Sequence, residues 1–530
     1  MINDYLVTDV YKSGNYVKIN SLMFDYDKLS IESNDEYVNI ELNNCFELQA
    51  DEYQVVVKKK ADTVTIIIKH KNQRGLRYGI KAIEEMYKNN ELPIVKIIDK
   101  PSFALRGIIE GFYGAPWGTD NRIDCIKFLS ENKMNTFMYA PKDDLYHRDK
   151  WRELYPTSEF ENLKKLKELS DKELIDFYYC ISPGNNFSFS ENDFELLYAK
   201  LDQVLAIGVS KYCLLLDDID YTLNGENSKR YKSPGIAHAF ICNKLNMFLK
   251  TKTSDATLIM CPTEYFQNWN TQYRNELKKY LDSDIKVFWT GYNTIAEVIS
   301  NEESEKVREY FGHELVLWDN YPVNDVTKDR IFLGPLVNRG SRLAESHFGM
   351  VSNPMIQWNL SKISVITMAH YMWNCEKYIP EVSYEYALKQ MTKDQPELLD
   401  SLRFIADNNR SSILCQYNIS EVDECIINKD IKAIENYYDE FNRHFEMLMD
   451  DYKDNRFLEE LKPWYERFKV DYEVVKAIGK NEDVSHLSDK ALSMENTIGS
   501  NIALRYAKHW KYTDKDIVKR YRINFWEESQ

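Results

Sequence analysis

A chain of 530 residues, 44% hydrophobic and 29% charged, is long enough for roughly two to four domains and a large buried core. Its net charge of -16 argues against a nucleic-acid partner or an anionic membrane surface. No apolar stretch approaches the length of a membrane span, and the nine cysteines form no CxxC pair.

Residues 1–98 alternate in the manner of strands. The opening Met1-Ile-Asn-Asp-Tyr5 lacks the basic and apolar regions of a signal peptide, so the expected setting is cytoplasmic, or secreted if the natural chain begins earlier. Tyr53-Gln-Val-Val-Val-Lys58 and Thr63-Val-Thr-Ile-Ile-Ile-Lys69 flank Lys60-Ala-Asp62, a pattern that predicts a hairpin. A helix is expected from about Gly75, with Leu76, Ile80, Ile83 and Tyr87 on one face. This is a small α+β domain with nothing chemical in it, and its expected role is structural.

From about Ser102 strands and helices alternate. The strands are expected at Leu105–Phe112, Asn135–Ala140, Phe177–Ser182, Tyr212–Leu216, Thr257–Cys261, Lys286–Thr290, Leu315–Trp318 and, weakly, Gly349–Ser352. A helix is expected to open at Thr119-Asp120, read as its N-cap, and to run to about Asn132. About eight such units within 99–376 predict an α/β fold, a (β/α)8 TIM barrel. A doubly wound sheet would want a phosphate-binding glycine loop after its first strand, and Gly111-Phe-Tyr-Gly114 is not that pattern. Cys180, Cys213, Cys242 and Cys261 lie in apolar runs, as reduced core thiols do. Beyond, 377–530 loses its strands. Charged amphipathic stretches such as Ile431–Tyr452 and Phe457–Ile478, with breaks at Pro396 and Lys453-Asp-Asn455, predict an α-helical bundle appended to the barrel. Asn418-Ile-Ser420 matches a glycosylation sequon, discounted for want of a secretory signal.

A barrel collects its functional residues just after its strands. Those positions hold Gly111-Phe-Tyr113-Gly-Ala-Pro-Trp117, Lys142-Asp-Asp144, Asp217 with Asp218, Cys261-Pro-Thr-Glu-Tyr265, Trp318-Asp-Asn320 and Asn353. Metal-ligand spacing and a nucleophile elbow are both missing, and His147 reads as a loop residue, so neither metal nor cofactor is expected. Carboxylates, amides, one lysine and aromatics are the equipment of a sugar site, and paired carboxylates point to glycoside hydrolysis. Tyr212-Cys-Leu-Leu-Leu-Asp-Asp-Ile-Asp220 drives an apolar strand into three acids. Burial and mutual repulsion should raise one carboxyl of the adjacent pair. Neighbours on a strand point to opposite sides, so Asp217 and Asp218 cannot stand side by side as acid and nucleophile unless the backbone leaves the strand there. Diverging around one sugar, they suit a mechanism in which the substrate's own 2-acetamido oxygen is the nucleophile.

Arg106-Gly-Ile-Ile-Glu-Gly-Phe-Tyr-Gly-Ala-Pro-Trp117, Tyr139-Ala-Pro-Lys-Asp-Asp-Leu-Tyr146 and Leu216-Asp-Asp-Ile219 resemble glycoside hydrolase family 84, the O-GlcNAcase and hyaluronidase-type β-N-acetylglucosaminidases. Cys261-Pro-Thr-Glu-Tyr265, Trp318-Asp-Asn320, Asn324-Asp325, Leu333-Gly-Pro335 and Ser352-Asn-Pro354 follow in family order. The resemblance implies that Asp217 orients the 2-acetamido group and that Asp218 is the general acid and then the base. It implies that Tyr265 and Asn320 bond around the acetamido group, and that Tyr113, Cys261 and Trp318 hold its methyl. Gly111 (through its carbonyl), Lys142, Asp325 and Asn353 would hold the ring hydroxyls, and Trp269 would stand near the rim. The implied partner is a β-GlcNAc-containing glycan or glycoprotein, in exo action. Endo-acting hyaluronidases share these motifs, and a non-catalytic sugar-binding barrel is disfavoured by the intact Asp217 and Asp218. Lys142 and Asp325 as a mere surface pair is the bland alternative for those two. Oligomeric state stays open.

Overall fold

The N-terminal region of the computed structural model is built from strands Asp9–Lys18 (β1), Met23–Asp25 (β2), Lys28–Ser30 (β3), Val38–Asn44 (β4), Tyr53–Lys60 (β5), Thr63–His70 (β6) and Glu91–Asp99 (β7). The structure describes residues 6–500 and 502, apart from 20, 26, 27, 31–37, 185, 186, 221, 224, 418 and 429. The chain start and Asn418 of the sequon therefore lie outside the described residues. Five strands form one sheet in the order β1-β7-β5-β6-β4, antiparallel except for the β4–β6 pair. The expected hairpin is present: Lys60 pairs with Thr63, and Ala61 turns the chain at φ 51°. Alternation buries Val55, Val57, Ile66 and Ile68, and helix Gln73–Met86 packs Leu76, Ile80 and Ile83 into the same core. The helix starts before Gly75 because the Asn72 side chain caps it, accepting the Gly75 amide at 2.9 Å. Tyr87 does not continue the helical face: it terminates the helix in an extended conformation.

Leu105–Glu110 (β8), Thr136–Tyr139 (β9), Asp176–Ile181 (β10), Lys211–Leu215 (β11), Thr257–Cys261 (β12), Lys286–Trp289 (β13), Leu315–Pro322 (β14) and His347–Asn353 (β15) close into a parallel eight-stranded barrel, β15 pairing with β8. Period-two alternation sorts the side chains. Ile109, Met138, Cys180, Cys213, Leu215, Ile259, Phe288, Val316 and Val351 fill the barrel, while Ile108, Phe137, Tyr179, Leu214, Met260, Leu317 and Met350 meet the surrounding helices. A Cβ on Gly107 would lie 1.8 Å from the Thr136 carbonyl oxygen, so only glycine lets β8 and β9 approach so closely. β8 stops at Glu110, short of Phe112, because the buried Glu110 carboxylate takes bonds from Arg122 (2.7 and 2.8 Å) and the Trp117 amide (2.9 Å), which turns the chain. The N-cap of the next helix, Thr119–Glu131, is Gly118, and Asp120 sits in its first turn rather than at the cap.

The N-terminal domain docks at the strands' starting ends. Asp51 accepts bonds from Arg106 at the start of β8 (2.8 Å), from Arg74 (2.7 Å) and from Asn135 just before β9 (3.0 Å). Burial alone would push that carboxyl up, but the two guanidiniums hold it well below the usual range. The contact thus lies at the barrel end associated with stability, leaving the other end free.

After the barrel come helices Pro380–Thr392, Pro396–Asn408, Ser420–Ile427, Ile431–Asp451, Asn455–Gly479 and Ser485–Leu492. Their core is continuous with the barrel's outer layer. Among the described residues, none of the helices is long and apolar enough to cross a membrane, and all nine cysteines are free. Cys180, Cys213, Cys242 and Cys261 are buried, as their apolar context implied.

One contact couples the helical region to the helix that follows β15. Helix Trp358–Trp373 follows β15 and has no side-chain cap of its own. Glu460, from Asn455–Gly479, accepts the Asn359 amide at 2.7 Å and the Leu360 amide at 3.1 Å in its place. Burial pushes the Glu460 carboxyl up to about 7, outweighing those donors. A raised folded-state value means that stability from this group is complete below its ordinary range and is lost as pH rises through 7, a swing of roughly 3 kcal/mol. Glu460→Gln, which keeps one acceptor oxygen, is expected to flatten the melting temperature between pH 5 and pH 8 relative to the parent. Differential scanning calorimetry at the two pH values checks it, and an unchanged pH dependence would reject the assignment.

Candidate active site

The strands' C-terminal ends surround a cavity of about 130 Å3. Gly111, Tyr113, Lys142, Asp217, Asp218, Cys261, Tyr265, Trp318, Asn320, Asp325 and Asn353 all line it, so these eleven candidates reach one place. Parity explains much of this. Cys213 and Leu215 point into the barrel and Leu216 points out, which sends Asp217 inward; the strand has ended by then, and the chain swings Asp218 to the mouth. By the same rule Asp319, between Trp318 and Asn320, points away and is held by Arg339 at 2.7 and 2.9 Å. Trp269, expected near the rim, is 57% exposed and does not line the cavity.

Lys142 is buried and links the two acids, its Nζ lying 2.8 Å from Asp217 Oδ2 and 3.6 Å from Asp218 Oδ2. The surface-pair alternative fails, since Asp325 bonds elsewhere: its Oδ2 accepts the Tyr113 amide at 2.8 Å. The Asp217 carboxyl is shifted down, so it is not where an upward shift would fall. Burial pushes that carboxyl up, but the Lys142 ammonium beside it brings it below its ordinary value. Sequence alone did not place a cation between the acids. Asp217 Oδ1 is buried and has no hydrogen-bond partner among the described residues. Asp218 is 34% exposed at its side chain, and its Oδ2 accepts the Tyr113 hydroxyl.

The floor is a hydrogen-bonded chain. Trp318 Nε1 donates to Asn320 Oδ1 at 2.9 Å, Asn353 Nδ2 donates to the same oxygen at 2.9 Å, and Asn353 Oδ1 accepts the Gly111 amide at 3.3 Å. An indole N–H can only donate, so the Asn320 amide orientation is fixed, with its Nδ2 bonded to the Thr294 carbonyl at 2.7 Å. A Cβ at Gly111 would meet Trp318 Cζ2 at 2.5 Å, which makes glycine a requirement of this floor. Cys261 is both core thiol and cavity wall, its thiol pushed well up by burial.

Thr290, Thr294, Ile295, Val323 and Val326 also line the cavity and were missed. The strand-end rule would have found Thr290 and Thr294, since they follow β13. Arg148 was missed as well; its Nη1 donates to the Tyr113 hydroxyl at 3.4 Å. His147 is fully buried, bonded through Nδ1 to the Cys180 carbonyl at 2.7 Å, and burial lowers it to about 4. Asp144, beside Lys142 in the sequence, is spent on the Tyr139 and Tyr155 hydroxyls, both at 2.8 Å. Among the described residues there is no group of three or more His, Cys, Asp or Glu arranged to hold a metal ion.

Residues 106–407 match the family model of the β-N-acetylglucosaminidases. The protein O-GlcNAcases of Rattus norvegicus and Mus musculus are each 34% identical over 272 residues, 50% of this chain and 29% of theirs. The chain therefore matches less than a third of the length of these relatives. The solved structure of CpGH84B superposes with a TM-score of 0.82 at 26% identity, over 95% of this chain and 99% of that one. A mutant O-GlcNAc hydrolase of Thermobaculum terrenum superposes with a TM-score of 0.70 at 27% identity, over 78% of this chain and 96% of that one.

Proposed function

Since the chain belongs to the β-N-acetylglucosaminidases, glycoside hydrolase family 84, we propose that it is a retaining exo-β-N-acetylglucosaminidase that removes terminal β-linked GlcNAc, including O-GlcNAc on protein Ser or Thr, by substrate-assisted catalysis. The carrying observation is the buried, unpartnered Asp217 Oδ1 at the cavity wall. A buried carboxylate oxygen without a donor is costly, and the N–H of a 2-acetamido group is the donor it lacks. Lys142 keeps the other oxygen bonded and the carboxylate ionised, so Asp217 supports positive charge growing on the amide nitrogen.

The steps follow from that assignment. The acetamido oxygen bonds to the anomeric carbon as the glycosidic C–O bond breaks, and the proton of Asp218 passes to the leaving oxygen. Asp218 then takes a proton from water as the water opens the oxazoline, which returns the β-anomer. Tyr265 and Asn320 steady the acetamido group, and Tyr113, Cys261 and Trp318 enclose its methyl. Gly111, Lys142, Asp325 and Asn353 serve the ring hydroxyls. The exo reading is favoured over endo-hyaluronidase action by a net charge of -16 that would repel a polyanionic chain.

Product analysis on 4-nitrophenyl β-GlcNAc, 4-nitrophenyl β-GalNAc and an O-GlcNAc peptide, with the first-formed anomer read by NMR, tests the proposal. Free β-GlcNAc from the first and third substrates, and inhibition by an oxazoline-mimicking thiazoline, are expected. Oligosaccharides from hyaluronan without monosaccharide would replace exo by endo action, and no turnover of any substrate would reduce the site to binding.

A further inference from the structure

Arg148 is a half-buried arginine whose guanidinium has no carboxylate within ion-pair distance among the described residues. It is instead aimed at a phenol: Nη1 donates to the Tyr113 hydroxyl at 3.4 Å, and the guanidinium carbon lies 5.7 Å from the Tyr113 ring centroid. The Tyr113 hydroxyl in turn donates to Asp218 Oδ2. An arginine can only donate, so the phenol oxygen must accept from it, and the single phenolic hydrogen is left for the acid. The direction of the chain Arg148 to Tyr113 to Asp218 is thereby fixed. Lys142 does not substitute for it, because its ammonium lies closer to Asp217, at 2.8 Å, than to Asp218, at 3.6 Å.

We propose that Arg148 is a positioning residue for the general acid, acting through Tyr113 to hold Asp218 Oδ2 and to stabilise the carboxylate left behind when Asp218 gives up its proton. The inference rests on the proposed glycosidase mechanism. With Oδ2 occupied by Tyr113, the transferable proton resides on Asp218 Oδ1. As it passes to the leaving oxygen and the glycosidic bond breaks, the charge arriving on Asp218 is met by a phenol polarised by a guanidinium. Cooperative hydrogen bonding of this kind strengthens each link of the chain. The benefit scales with how much the leaving group needs its proton. An alkoxide from serine needs it most, and an activated phenolate hardly at all.

Kinetics of R148M, R148K, Y113F and the R148M/Y113F pair, on an O-GlcNAc-serine peptide and on 3,4-dinitrophenyl β-GlcNAc, test this. R148M is expected to lose about tenfold in kcat/KM on the peptide, a fraction of what a general acid supplies, and less than about threefold on the aryl substrate. R148K should recover part of the loss, and the double variant should be no worse than Y113F alone, because the arginine acts through the phenol. Equal losses on both substrates, or losses that multiply in the double variant, would overturn the proposal. Melting temperatures exclude a folding defect as the source. D218N is the control: if it shows no leaving-group dependence the mechanism itself fails, whereas dependence in D218N without any in R148M rejects Arg148 alone.

Discussion

Replacing Asp218 with Asn is expected to slow hydrolysis of a serine-linked GlcNAc by about 10²- to 10⁴-fold while sparing substrates with activated aryl leaving groups. The side chain stands at the mouth of the cavity, where the proposed mechanism puts the bond joining sugar to aglycone, and its Oδ2 is already held by Tyr113. An amide of the same shape keeps that acceptor but has no proton to give. The loss must therefore track leaving-group pKa, and a plot of log kcat/KM against it should be much steeper for the variant than for the parent. A parallel shift would mean that Asp218 acts in some other way.

Asp217→Asn is expected to behave differently: a loss of roughly 10²- to 10³-fold in kcat on every substrate, whatever its leaving group. The reasoning is electrostatic. In the proposed mechanism the acetamido nitrogen would become positive as its oxygen attacks, and the buried, unpartnered Oδ1 of Asp217 would balance it. An amide can still accept one bond but carries no charge. The substitution also leaves Lys142 buried without its nearer counter-ion, so its ammonium must turn to Asp218 at 3.6 Å. Steady-state kinetics on paired aryl and peptide substrates separate the two variants, and a leaving-group dependence for Asp217→Asn resembling that of Asp218→Asn would undo the division of labour between them.

Much of the site was legible because a barrel converts sequence position into spatial position. Tyr113, Lys142, Tyr265 and Asn320 are far apart in the chain, yet the first three follow strands and Asn320 lies near the C-terminal end of β14, and parallel closure brings all such ends to one rim. What escaped notice was residues whose type carries no signal by itself. Thr290 and Thr294 are ordinary loop threonines until their positions after β13 are known, and Arg148 is one more charged residue in a charged loop. Glu460 is equally silent, since its partner amides belong to a helix 101 and 100 residues away.

The adjacent carboxylates show where the division falls. Period-two alternation, the eight β/α repeats and the motif order follow from local sequence, because strand parity and apolar patterning are properties of a few consecutive residues. They determined that the chain is a barrel and that Asp217 and Asp218 diverge at one strand's end. The protonation balance is different in kind. Repulsion between neighbouring acids argued for an upward shift in one of the two, and it is Lys142, arriving from the end of β9, that brings Asp217 down. Coulombic energy depends on distances of a few ångströms between segments 75 residues apart, and only the folded barrel sets those distances.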